Sequence, residues 1–324
     1  MHKRKRIVRP SGDVSQAAGF ILSGGIGGVP TETVYGLAAD ALNPEAVRRI
    51  FEAKGRPFID PLIVHVCDMQ MAEKAAAFTG RARTLAERFW PGPLTLILNK
   101  QNAVPDIVTA GMNTVAVRMP SHPLMLELIR ACGRPIAAPS ANPFGYVSPT
   151  CAEHVAEQLG DRIDFILDGG KCARGVESTI LMLSEDGGVH KLLRAGPIPP
   201  EDLERALGER IDISPKVNEA RPQAPGMLKS HYSPHSKLTL FNSPEEIGEA
   251  ADANVIFFSR PQNPAKNHYW LSEAGDAAEA AANLFALLRR LDKISPNGLY
   301  CQRAPNVGVG LAINDRLERA QTRP

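Results

Sequence analysis

The sequence has no surplus charge of either sign, no CxxC pair, no long apolar run and few aromatic residues, and each absence removes a class of function. Lys and Arg number 37 against 35 Asp and Glu, a formal net charge of +2. That balance excludes a general attraction to nucleic acid or anionic membrane, so any anion site must be built locally. The five cysteines, Cys67, Cys132, Cys151, Cys172 and Cys301, are odd in number and widely spaced. Their spacing speaks against zinc or redox chemistry and reads as reduced, mostly buried thiols of a cytosolic protein. No apolar run reaches the ~18 residues of a membrane span, and the start has no signal-peptide apolar core. The expected compartment is therefore the cytoplasm, with no membrane partner. The basic run His2 to Arg6 offers a weak RNA contact or an address, but a short charged start reads first as a solvated tail.

What is present is ordinary for a folded chain. Of 324 residues, 44% are apolar and 22% charged, enough for two compact units and too little charge for wholesale disorder. A stretch from about Ile213 to Ser236 contains Pro215, Pro222, Pro225, Gly226 and Pro234, and proline at this density reads as an extended connector. It separates residues 1–212 from residues 237–324. In the first unit strands and helices alternate unevenly, which predicts a twisted, mixed α/β sheet; in the second, regular alternation predicts a small open parallel sheet.

Along the first unit, apolar spacing predicts a helix from Asp13 to Leu22 stopped by Gly24-Gly25. The glycines from Gly24 to Gly28 lack the GxxxxGK[ST] pattern and read as a helix end and a strand. A helix from Glu45 to Ala53, opened by Pro44, delivers Lys54-Gly55-Arg56, two cations stiffened by Pro57 that suit a phosphate clamp. His65 lies in the apolar strand Pro61 to Val66, where a lone histidine is more often a core residue. Arg118, in the strand Thr114 to Met119, needs an anionic partner, either a ligand or an internal Asp or Glu. Small residues around Ala138 permit close approach, and Ser140 and Asn142 offer hydrogen bonds without charge. Ser148-Pro149-Thr150 reads as the cap of a helix running to about Leu159.

Lys54, Arg56, Arg118 and Arg194, with neutral Thr33, Ser140, Asn142, Ser148 and Ser178, form a set suited to binding and stabilising an anionic reactant. No triad order, metal-ligand spacing or paired-carboxylate motif accompanies them.

In order and spacing, VPTETVYGL, KGRP, PLIVHV, WPGPLTLIL, AGMNTVAVRMPSHP, APSAN, GVESTI and LLRAGPI resemble the YrdC-like family of threonylcarbamoyl-adenylate synthases. APGMLKSHYSPHSKL, ANLFALLRRLDK and GVGLAINDRLERA resemble its long form. The resemblance implies a YrdC-like catalytic domain over 1–212, a linker and lid over 213–236, and a Rossmann-like domain over 237–324. It also implies that ATP, with Mg2+, L-threonine and bicarbonate become L-threonylcarbamoyladenylate and pyrophosphate. The adenylate would pass to tRNA threonylcarbamoyl-transfer proteins that modify the adenosine next to the anticodon. Lys54, Arg56, Ser140 and Asn142 would act on the phosphates and reacting carbamate. Thr33, Tyr35, His65, Arg118 and Ser178 would shape the threonine side; Asp60, Thr114, Ala138, Ser148, Arg194, His231 and Tyr232 would join the ATP side. Asp60 departs from the family's neutral or basic residue, and Gly27-Gly28 from its bulkier strand residues, which should loosen that strand without removing a site group. The alternative is a non-catalytic double-stranded RNA or tRNA-binding module. A carbamoyl-transfer maturation factor would need an acyl-phosphate-cleaving module and zinc cysteines, neither visible in the sequence.

Overall fold

The computed structural model describes residues 7–8, 14–184, 188–214, 222–227, 231–247 and 253–322. The basic run His2 to Arg6, and residues 215–221 and 228–230 of the connector, lie outside the described residues.

Eleven described strands form one mixed sheet: β1 (Ile7–Val8), β2 (Gly27–Val29), β3 (Gly36–Asp40), β4 (Ile63–His65), β5 (Leu94–Asn99), β6 (Thr114–Arg118), β7 (Ile136–Ala137), β8 (Phe165–Leu167), β9 (Thr179–Met182), β10 (His190–Arg194) and β11 (Ile211–Asp212). Their spatial order is β1-β8-β2-β3-β7-β4-β6-β5-β9-β10-β11. Helices α1 (Val14–Leu22), α2 (Pro44–Lys54), α3 (Met69–Ala75), α4 (Gly80–Phe89), α5 (Asp106–Thr109), α6 (Pro123–Cys132), α7 (Ala152–Leu159) and α8 (Pro200–Leu207) accompany it. The second unit is a parallel sheet of β12 (Leu238–Phe241), β13 (Asn254–Ser259), β14 (His268–Ser272) and β15 (Leu299–Gln302), ordered β12-β15-β13-β14, with helices α9 (Ala277–Asp292) and α10 (Gly310–Gln321). Mixed and parallel sheets thus stand where the uneven and regular alternations placed them.

Local chemistry explains why α2 aims its end at the sheet. The Asn43 side chain accepts from the Glu45 and Ala46 amides, Pro44 opens the first turn, and Gly55 closes the last in the left-handed region at φ 65°. Only glycine adopts that conformation without strain, so Lys54 and Arg56 leave the helix in a tight turn. Across the sheet centre, β4 and β6 run parallel with His65 beside Arg118, and Gly36 bridges Ser140.

Two local expectations change. α7 starts four residues beyond Ser148, with Cys151 at its cap and no side-chain cap bond; Ser148 is buried and bonded elsewhere. Gly27 and Gly28 do not loosen β2. The Phe165 ring lies where a Cβ of Gly27 would sit, 2.3 Å from its nearest ring atom, so the missing side chain is replaced by packing from β8. β14 escapes the sequence pattern because His268, Tyr269 and Trp270 are half-buried at a sheet edge. The sequence predicts a helical stretch from near Pro244 to Ala251; a 3-10 turn stands over Pro244–Ile247, and residues 248–252 fall outside the described residues.

The two units share a core. Val34, Val147 and Val176 of the first and Tyr232 of the connector pack with Leu284, Phe285, Leu288 and Leu317 of α9 and α10. Apolar side chains at the strand ends beside the site are therefore covered by the C-terminal unit rather than by water. No helix among the described residues is long and apolar enough to cross a membrane.

Candidate functional site

The ends of β4, β6, β9 and β10, the 31–36 and 138–140 segments and the connector enclose one cavity. Arg56, Arg118, Arg194, Thr33, His65, Ala138, Ser140, Ser178, His231 and Tyr232 all line it. Its volume is about 40 Å³, room for a few waters and far below the ~300 Å³ or more of a ligand pocket.

Each cation is held by the fold. Lys54 is buried and its Nζ donates to the carbonyls of Ser140 and Asn142, both at 2.5 Å. Burial, reinforced by Arg56, presses its pKa well below the ordinary lysine value. Arg56 donates through Nε to Asp60 O at 3.1 Å and through Nη2 to Pro61 O at 2.8 Å. Its Nη2 also lies 2.9 Å from Asp60 Oδ2. Arg118 donates to Gly92 O at 3.2 Å and Thr33 Oγ1 at 3.0 Å, and its Nη2 pairs with Glu32 Oε1 at 2.6 Å. Arg194 holds Ser178 twice, at the carbonyl and at Oγ, both at 3.0 Å, and reaches Pro225 O in the connector at 3.2 Å.

Pro225, Gly226, His231 and Tyr232 of the connector line this wall. Tyr232 is buried in the left-handed region at φ 63°, and its ring stacks on Phe285 of α9 at 5.5 Å. Gly226, at φ 81°, is required beneath it, because a Cβ there would meet the Tyr232 hydroxyl at 2.7 Å. His231 sits edge-on to Phe144, 5.8 Å between ring centres. Burial, then Arg56, Lys54 and Arg194, drives its pKa well down, so the ring faces the cations uncharged.

This chain is similar to known proteins over nearly its whole length. A family model described as "Telomere recombination", covering the Sua5, YciO and YrdC proteins, matches residues 19–196, and one described as "Threonylcarbamoyl-AMP synthase, C-terminal domain" matches residues 198–322. The chain belongs to this family. It is 43% identical to a threonylcarbamoyl-AMP synthase of Pyrococcus abyssi over 317 residues, 94% of this chain and 92% of that one. It is 41% identical to the Bacillus subtilis protein of that name over 321 residues, 95% of this chain and 92% of that one. A crystal structure of P. abyssi Sua5 complexed with L-threonine superposes with a TM-score of 0.88 at 40% identity, covering 97% of this chain and 96% of that one. A HypF structure, at 21% identity and a TM-score of 0.52 over 59% of this chain and 30% of that one, shares the fold of that part.

Against the family's expected site, the fold brings most of the residues together and sets some apart. Asp60 is fully buried behind Arg56, so its acid is spent on that cation rather than turned to the cavity. Burial raises its pKa, opposed by Arg56, Lys54 and Arg194. Tyr35 points its hydroxyl to Gly170 O at 2.8 Å and accepts from Gly169 N at 3.0 Å, ordering the turn after β8. Burial raises its pKa, and it donates rather than ionises. Thr114 begins β6 and Arg118 ends it, ~13 Å apart at strand rise. Asn142 uses its amide nitrogen on Pro143 O and Tyr146 O and braces the loop. Ser148 donates to Glu177 Oε1 at 2.5 Å.

The acids were missed. Glu32 and Glu177 sit inside VPTETVYGL and GVESTI, and the demand of buried arginines for carboxylates was the available signal.

His65 gives the site a pH signature. Burial, then Arg118, lowers its pKa from 6.5 to about 3. The unfolded chain binds a proton below pH 6.5 that the folded chain refuses, so this stabilisation is complete above that pH and is lost as pH falls toward 3. Denaturant titrations should show His65 contributing a loss of about 2 kcal/mol between neutral pH and pH 5. His65→Gln should flatten that slope, whereas an unchanged slope would place the titration elsewhere.

Proposed function

We infer that the protein is an L-threonylcarbamoyladenylate synthase, making the adenylate used for threonylcarbamoyl modification of tRNA adenosine beside the anticodon. The observation that carries this is the convergence of Arg56, Arg118 and Arg194 with the hydroxyls of Thr33, Ser140 and Ser178 on one cavity, in a chain of this family. Threonine is the amino acid; ATP and bicarbonate are the other reactants, and downstream tRNA threonylcarbamoyl-transfer proteins in the cytoplasm receive the product.

The threonine amine and bicarbonate first give the carbamate and water. A carbamate oxygen then forms a bond to the α-phosphorus of ATP, the bond from that phosphorus to the bridging oxygen breaks, and pyrophosphate leaves with the electron pair. Arg56 and Arg194 face the charge that grows on the phosphates, and closing the site over the reactants would shield that charge from water. Lys54 fixes the carbonyls of the Ser140–Asn142 loop. Arg118 faces the threonine carboxylate, which competes with Glu32 for it. Neutral His65 and Thr33 complete that side.

Mg2+ enters with the triphosphate. Glu177 and Glu32 are engaged by Arg316 and Arg118, Asp60 faces Arg56, and no group of three or more metal-ligating side chains occurs among the described residues. Such a donor set suits an ion carried by phosphates and waters, where it would neutralise charge on the leaving pyrophosphate.

Gly226, His231 and Tyr232 of the connector line a cavity of about 40 Å³, and we propose that the connector is a lid that lifts for ATP to enter. Trypsin should cut between Ser214 and Ser236 more slowly with ATP and threonine present than without. Equal cutting would count against a lid. The RNA-binding reading is disfavoured because Arg56, Arg118 and Arg194 are buried rather than arrayed on a surface. The synthase reading is tested by pyrophosphate release from ATP, Mg2+, threonine and bicarbonate; release indifferent to threonine and bicarbonate would contradict it.

A further inference from the structure

Helix α10 belongs to the C-terminal unit, yet one of its side chains reaches the wall of the cavity. Arg316 is buried, and its Nε donates to Glu177 Oε2 at 2.8 Å. Glu177 lines the cavity and takes the Ser148 hydroxyl on its other oxygen. Through Nη2 the same guanidinium donates to Ala195 O at 2.9 Å, one residue beyond Arg194. Its Cζ lies 5.2 Å from the centre of the Tyr232 ring. Asp315, paired with Arg316 and Arg319, holds it from behind.

One side chain of the second unit thus touches the segment after β8, the strand end at Arg194 and the connector, all on the ATP side. A buried ion pair is a poor device for stability alone, because apolar residues of like volume often serve as well or better. What it supplies is position. A planar fork with fixed donor directions sets Glu177 and the backbone beside Arg194, and its face backs an aromatic ring. Tyr232 accepts a left-handed backbone to lie against it, a local strain that needs surrounding contacts to persist.

We propose that Arg316 is a positioning residue of the nucleotide site, so that the C-terminal unit completes the ATP-facing wall. The proposal rests on the synthase reading above. Its test is steady-state pyrophosphate release by the full chain, varying Mg-ATP and threonine in turn. Arg316→Met should raise the KM for ATP on the order of tenfold while the KM for threonine stays within about twofold, since a broken buried pair displaces only its own neighbours. Arg316→Lys should recover part of the loss. Glu177→Gln should show the same split, and Glu177→Gln with Arg316→Met should be less than additive. If Arg316→Met does not fold, the isosteric Glu177→Gln alone decides. An unchanged KM for ATP in the folded variants, or a fall in kcat alone that follows the folded fraction, would overturn the proposal. A wild-type protein that releases no pyrophosphate would instead sink the synthase reading.

Discussion

Arg56→Ala should lower threonine- and bicarbonate-dependent pyrophosphate formation on the order of 10²–10³-fold, the usual cost of removing one charge-stabilising donor from a preorganised site. The side chain does two jobs, and they separate. It faces the cavity, and it neutralises Asp60, whose carboxylate is fully buried. Truncation therefore leaves a buried acid without its partner, which should cost about 3–5 kcal/mol of stability. Adding Asp60→Asn should recover most of the melting temperature and none of the turnover. If turnover returned with stability, Arg56 would be structural and Asp60 the source of its apparent importance. If neither fell in Arg56→Ala, the residue would be outside the mechanism.

Arg118→Ala should act on the other reactant. Losing a buried, hydrogen-bonded charge opposite a substrate carboxylate should raise the KM for threonine on the order of 10²-fold, about 3 kcal/mol, with little change for ATP. Because the guanidinium also carries Thr33 Oγ1 and Glu32, the discriminating readout is selectivity. The wild-type protein should strongly prefer threonine over its amino alcohol, which lacks the carboxylate, and Arg118→Ala should lose most of that preference. A variant that kept full preference while losing rate would show that Arg118 holds the Thr31–Thr33 segment and does not read the carboxylate.

How far the sequence foretold this site depends on the range over which each feature is encoded. The turn that presents Lys54 and Arg56 is local: Asn43, Pro44 and Gly55 lie within one helix and its ends. The same holds for Arg118 and Arg194 as charged residues in or at the end of apolar strands, so the sequence exposed the cations and most of the hydroxyls. Direction was less legible. Tyr35 and Thr33 stand two apart on one segment, but Tyr35 turns to Gly170 and Thr33 to Arg118. Ser148 has the residue type and place of a helix cap, yet it bonds to Glu177, 29 positions away. The pairing of Arg316 with Glu177 spans 139 positions, and no local pattern carries such a contact. The two sheets are separate, yet one core cluster crosses between them, where Val34, Val147 and Val176 pack against α9 and α10.

The central claim is that one cavity joins threonine, bicarbonate and the adenylyl part of ATP. It is tested most directly by incubating the protein with isotopically labelled bicarbonate, threonine, ATP and Mg2+ and following the nucleotide product by mass. The expected product is an adenylate carrying both threonine and the labelled carbon, formed in step with pyrophosphate. Pyrophosphate accompanied by an unlabelled threonyl adenylate, or by AMP with the labelled carbon left in bicarbonate throughout, would contradict it.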